Sequence, residues 1–163
     1  MVGWLDLTSN EAVFDKQLGQ LQAAPGERQL VALRHVAEAE AYADWLANPT
    51  VAVNLKKSQL PFDLLIRTRN LKAAAILVEQ CPNVTFVVDH MAKPDVSGEV
   101  WKDEEEWKNG MKQLASLKNV HCKVSGFYSG KLFVYFFEIA KKILKIFFGS
   151  RIFDFSKKQF FQN

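Results

Sequence analysis

The stretch Val84-Thr85-Phe86-Val87-Val88-Asp89-His90-Met91-Ala92-Lys93-Pro94 decides how the rest of the chain is read. A short apolar run rich in β-branched residues ends abruptly in an ionisable pair, Asp89-His90, and is closed by Pro94. That is the pattern of a buried parallel strand delivering a side chain to the rim of a site. Both faces of such a strand are covered, so its middle reads as continuous Val and Phe. Polar residues are tolerated only where the strand emerges, and His90 stands at that point. A histidine there can also do no more than cap the strand against a loop carbonyl, so its context carries the decision.

Working outward, the same pattern recurs. Strands are predicted at residues 2–7, 30–33, 62–66, 84–88 and 120–124, and helices at 11–23, 38–46, 50–57, 70–80 and 103–117. Thr8 or Ser9 is the expected cap of the first helix, Pro25-Gly26 its stop, and residues 94–98 a loop. Strand and helix alternate five times, which predicts an α/β fold built on a parallel sheet with right-handed crossovers. The strands end in Asp6, Arg34-His35, Arg67, Asp89-His90, and Lys123 with Ser125. Ligands of parallel α/β folds bind at carboxyl ends of strands, so this alignment of ionisable residues points to one rim. No glycine-rich phosphate loop follows any strand, which leaves a nucleotide-binding doubly wound sheet as the weaker alternative.

Composition narrows the classes. The 163 residues are 48% hydrophobic and 24% charged, enough for one domain with a core but short for a closed eight-stranded barrel, which typically needs ~250. Cys81 and Cys122 lie far apart, with neither zinc-ligand nor disulfide-framework spacing. Reduced thiols and the lack of a signal-peptide pattern near Met1 predict a cytoplasmic protein. The net charge of +3 is unevenly distributed: residues 130–163 hold seven Lys or Arg and two acids, leaving fourteen basic and sixteen acidic residues before them. The body is therefore slightly acidic and no nucleic-acid partner is expected. Residues 130–163 also hold nine of the thirteen phenylalanines, so two compositions meet near Gly130.

Five blocks together carry a resemblance: Trp4-Leu5-Asp6-Leu7, Leu33-Arg34-His35, Leu60-Pro61-Phe62-Asp63-Leu64-Leu65-Ile66-Arg67, Val87-Val88-Asp89-His90-Met91-Ala92-Lys93-Pro94 and Val120-His121-Cys122-Lys123-Val124-Ser125-Gly126. In this order they resemble successive strand ends of the amidohydrolase-related metal-dependent hydrolases, most closely the sugar-lactone and pyrone-dicarboxylate lactonases. The resemblance implies an incomplete (β/α)8 TIM barrel comprising roughly strands two to six. It also implies a small lactone or carboxylate substrate. By it, His90 is the catalytic histidine, beside a metal if one is bound or otherwise polarising the lactone carbonyl. Arg67, and with it Arg34 and Lys123, match strand-end positions suited to a substrate carboxylate or hydroxyl, while Asp6 and His35 lie on the same rim. Ion pairing is the competing role: Arg34 with Asp63 or Asp89, and Lys123 with a buried aspartate.

The sequence also departs from that family. There a His-x-His pair after the first strand supplies metal ligands, for a divalent metal such as zinc, or carbonyl contacts, and an Asp after the eighth strand, in a Gly-Ser-Asp-Trp-Pro-like motif, activates water. Only His35, His90 and His121 occur here, with no His-x-His, so no metal and little or no activity are expected of this chain. Asp154, in Phe148-Gly149-Ser150-Arg151-Ile152-Phe153-Asp154, has the wrong spacing for that closing aspartate. The expected division is a partial barrel over residues 1–129 and an unrelated Phe/Lys-rich segment over 130–163, of the composition a retained intron or gene-model error would give. If helical, 132–148 puts Glu138, Lys141, Lys142 and Lys145 on one narrow polar face, able to cover an open side of the barrel. Four charges argue against a membrane span, and lasting membrane contact is not expected. A non-catalytic truncated isoform or fragment with a binding role is the alternative function.

Overall fold

The computed structural model describes residues 1–24, 29–96, 101–125 and 132–148, the last with side chains from 139 to 147. The expected break at Pro25-Gly26, the end of the loop after Pro94, the junction at Gly130 and Asp154 lie outside the described residues. Strands β1 (Val2–Gly3), β2 (Ala32–His35), β3 (Phe62–Leu64), β4 (Phe86–Val88) and β5 (Val120–Cys122) alternate with helices α1 (Glu11–Gln22), α2 (Pro49–Ser58), α3 (Leu71–Gln80), α4 (Glu104–Ala115) and α5 (Leu132–Phe148).

Every neighbouring strand pair is parallel, and the sheet runs in sequence order, β1-β2-β3-β4-β5. A doubly wound sheet reverses its order at a switch point; this one never does. Right-handed crossovers in one direction place successive helices on the same face, which is how an arc of a (β/α)8 barrel is built.

Register sorts the side chains. Leu33, Phe62, Phe86 and Val120 are cross-strand partners and all are buried, Phe62 and Phe86 meeting edge to face at 6.2 Å. With the period-2 alternation of strands, Arg34, Asp63, Val87 and His121 form the row on the opposite face, and Asp89 and Lys123 extend it two residues on. The helical layer closes over the first row with Phe14, Leu55, Leu71, Leu77 and Trp107 in one continuous core. Gly110 lets α3 come close to α4: a β-carbon there would lie 2.6 Å from that of Leu71.

Local chemistry sets the helix ends. Asn10, rather than Thr8 or Ser9, caps α1, its side-chain oxygen accepting from the Val13 amide at 3.1 Å. Pro49 starts α2 behind the Asn48 cap, and Gln59 ends it in the left-handed region at φ 55°. The acidic first turn of α4 holds Glu104, Glu105 and Glu106. The helix expected at 38–46 is not formed. Two 3-10 turns, Ala37–Ala39 and Trp45–Ala47, replace it, because Glu40 turns back onto His35 and Trp45 stacks on the same ring. Strand pairing also stops short of the expected ends at Leu7, Ile66 and Val124.

Helix α5 packs beside α4, burying Ile139, Ala140 and Ile143, with Ile143 and Phe147 over Val120, Cys122 and Val124. Lys142 pairs with Glu104 and lies 4.6 Å above the Trp101 ring. Among the described residues no helix is long and apolar enough to cross a membrane.

Candidate active site

The segment after β4 is unusual backbone. His90, Met91, Ala92 and Lys93 have φ of 51°, 55°, 57° and 42°, four consecutive non-glycine residues in the left-handed region. Each costs roughly 1–2 kcal/mol, so the turn stores on the order of 4–8 kcal/mol. One hydrogen bond, worth about 1 kcal/mol net, does not offset that. Burial contributes more: Asp89, Met91 and Ala92 are almost fully enclosed, and an apolar side chain the size of Met91 contributes roughly 1.5–3 kcal/mol. Three directed contacts add to it. Trp107, fully buried on α4, donates its indole N–H to the Met91 carbonyl at 2.7 Å. The Lys93 amide donates to the His90 carbonyl at 3.0 Å, and the Lys93 ammonium pairs with Glu38. Strain concentrated at one strand end is a marker of a functional site.

The turn sets His90 half-buried at the rim, its Nδ1 2.9 Å from the Ser125 hydroxyl beyond β5. With Nδ1 engaged, Nε2 is the ring nitrogen left for a ligand.

On the sheet face turned away from the helices, four charges close on one another. Arg34 reaches Asp63 at 2.6 Å and Asp89 at 3.1 Å, and Lys123 reaches the same two at 3.0 and 2.8 Å. Both carboxylates are buried, whereas the two cations are about 40% exposed (39% and 42%), so solvent screens the cationic side. Burial pulls the Lys123 pKa down, but the bonds to Asp89 and Asp63 outweigh it and the net shift is upward. Arg34 and Lys123 thus have the ion-pair partners that their positions allowed.

Arg67 differs. It is exposed at the end of β3, and its Nε lies 3.1 Å from Glu38, which also receives Lys93. Glu38 therefore draws together two cations from neighbouring strand ends.

His35 and Asp6 are held by other groups. The Trp4 indole donates to His35 Nδ1 at 3.0 Å, so Nε2 carries the hydrogen given to Glu40, and Trp45 stacks on the ring at 4.0 Å, nearly parallel. The Asp6 carboxylate accepts from the Thr8 hydroxyl at 2.7 Å and the Thr8 amide at 2.9 Å, which lower its pKa. Burial pushes the Cys122 thiol up to about 12, away from the thiolate form.

The sequence reading placed His90, Arg67, Arg34, Lys123, Asp6 and His35 on one rim, and the fold brings the first four to adjacent strand ends. It gave no role to Glu38, Lys93 or Trp107, and named Ser125 at a strand end without a partner. Lys93 and Ser125 lie inside the blocks that carry the resemblance, but Glu38 sits in an alanine-rich run with no local sign of its role.

A sequential parallel arc with charged strand ends and a strained histidine turn defines the class: part of a β/α-barrel framework with a candidate site on its rim. The amidohydrolase family profile matches residues 7–153, and the chain belongs to that family. It is 34% identical over 132 residues to the L-fucono-1,5-lactonase of Burkholderia ambifaria, an alignment covering 79% of this chain and 43% of that protein. The chain thus spans less than half the length of this curated relative. In fold it is similar to a zinc-bound amidohydrolase from Burkholderia multivorans, with a TM-score of 0.74 and 21% identity over 91% of this chain and 54% of the other. An amidohydrolase 2 from Bifidobacterium longum subsp. infantis matches with a TM-score of 0.55 and 24% identity, covering 76% of this chain and 45% of that one.

Among the described residues, no three of His, Cys, Asp or Glu gather as a metal-ligand set. Asp63 and Asp89 are paired with Arg34 and Lys123, and His90 Nδ1 is engaged by Ser125. These residues do not by themselves make a metal site.

Proposed function

We propose that this chain is the central arc of a hydrolase that opens a sugar lactone or related cyclic ester. The observation that carries the reading is the strained turn that sets His90 on the rim beside Arg67, in a chain similar to a sugar 1,5-lactonase. Hydrolysis joins a water oxygen to the lactone carbonyl carbon, breaks the ring C–O bond, and leaves a hydroxy acid after the ring oxygen takes a proton. In this reading His90 Nε2–H donates to the carbonyl oxygen and stabilises the charge that develops there. The Arg67 fork holds a substrate hydroxyl or the nascent carboxylate, with Glu38 fixing its direction. Arg34, Lys123, Asp6 and His35 shape the rim through their own partners. The two free thiols, Cys81 and Cys122, support a reducing, cytoplasmic setting. The composition break near Gly130 is read as a boundary between barrel sequence and an unrelated segment, against a family profile that runs on to residue 153; transcript sequencing across that codon tests it.

The first test is titrimetric turnover of L-fucono-1,5-lactone, paired with saturation-transfer NMR binding of the same lactone. Slow turnover that disappears in His90→Ala, with binding weakened roughly tenfold in Arg67→Ala, is the expected result. Binding without turnover favours the second reading, a non-catalytic binding role, which the lack of any His-x-His supports. Neither binding nor turnover overturns both.

A further inference from the structure

We infer that Trp107 and Ser125 are positioning residues which together fix the imidazole of His90 as its Nε2–H tautomer, facing the rim. The inference deepens the lactonase reading by naming what orients its histidine, yet it is argued from this chain's own geometry.

His90 is delivered by the four-residue left-handed turn that follows β4. Burial of Met91 and Ala92 holds that turn against the core, but apolar burial is non-directional and leaves the peptide planes free to rotate. The directional contact is the indole of Trp107. Its N–H is a donor only, and at 2.7 Å from the Met91 carbonyl it fixes the peptide plane one residue beyond His90. The ring of Trp107 cannot shift to follow another backbone conformation, because it is fully enclosed and packed at 5.0 Å against Trp101. The side chain itself is then steered from the opposite element. The Ser125 hydroxyl lies 2.9 Å from Nδ1; taken in this inference as the donor there, it leaves the ring's own hydrogen on Nε2. Backbone and ring are thus held by two residues 18 apart in sequence, from α4 and from the end of β5. Neither has to touch substrate.

The test is long-range proton–nitrogen NMR of the His90 ring in the full 163-residue chain, with His90→Gln identifying its signals. The expected wild-type pattern is a protonated Nε2 and an unprotonated Nδ1, with the Trp107 indole hydrogen protected from exchange. Ser125→Ala is expected to mix the tautomers while leaving the Trp107 indole signal in place. Trp107→Phe keeps most of the apolar volume and is expected to speed exchange of the Lys93 amide roughly tenfold and to disperse the His90 ring signals. A Trp107→Phe protein that is destabilised yet keeps the wild-type His90 pattern would show Trp107 to be packing only, and would overturn the inference. If that variant does not fold, the wild-type spectrum decides alone: an Nδ1-protonated ring or an exchanging Trp107 indole is equally fatal. None of these readouts needs turnover, so a chain inactive on lactones with an ordered Nε2–H ring defeats the functional reading and leaves this one standing.

Discussion

At the scale of single residues, the charges that resemble one another in sequence have different assignments in space. Arg34 and Lys123 face two buried carboxylates, and a substrate group would have to displace Asp63 or Asp89 to engage them. Arg67 faces one carboxylate, through Nε alone. Asp63→Asn removes one negative charge from between two cations; because those cations are part exposed, the expected loss is about 1–3 kcal/mol rather than the full cost of breaking a buried pair. Urea denaturation of the variant checks it, and an unchanged midpoint would show that water already screens the set. The upward shift at Lys123 gives stability that is complete below the ordinary lysine pKa and lost as pH rises through the higher folded value. At Asp6 the sign reverses: a lowered carboxyl adds stability above the ordinary aspartate pKa, and it disappears as pH falls through the folded value.

At the scale of elements, the clearest prediction concerns the end of α2. Gln59 is exposed and left-handed at φ 55°, the place where glycine is favoured. Gln59→Gly is expected to raise the thermal midpoint, relief of about 1–2 kcal/mol of left-handed strain exceeding the entropy a glycine adds to the unfolded chain. A lower midpoint would mean that Gln59 is held by more than its backbone. Strands and most helices were legible in the sequence because their causes are local. Phe86 and Val88 are buried and Val87 half-buried, an apolar run that reads as a strand, and Pro49 marks the start of α2. What was not legible depends on distant partners. The run 38–46 has good helix formers, but a ring at position 35 recruits Glu40 and Trp45 and prevents the helix. The left-handed turn at His90–Lys93 contains no Gly or Asn to announce it, and contacts that hold it come from distant residues, Trp107 and Glu38. Glu38 acquires its role only when the β3 and β4 ends come together.

At the scale of the molecule, β1 has one neighbour and β5 has one neighbour among the described residues. The edge of β1 away from β2 is a template for pairing with another chain, and Val2 on that strand is exposed. Concentration-dependent association by sedimentation velocity is expected, and Val2→Lys is expected to suppress it; association that persists unchanged would locate the contact elsewhere. The sheet's order has a further consequence. Because each strand lies beside the one made just before it, no strand has to be threaded between two already placed, and each unit can dock as it leaves the ribosome. The arc therefore grows from one end, in the manner of a repeat array. A synthesis pause after any helix would leave a shorter sheet of the same kind.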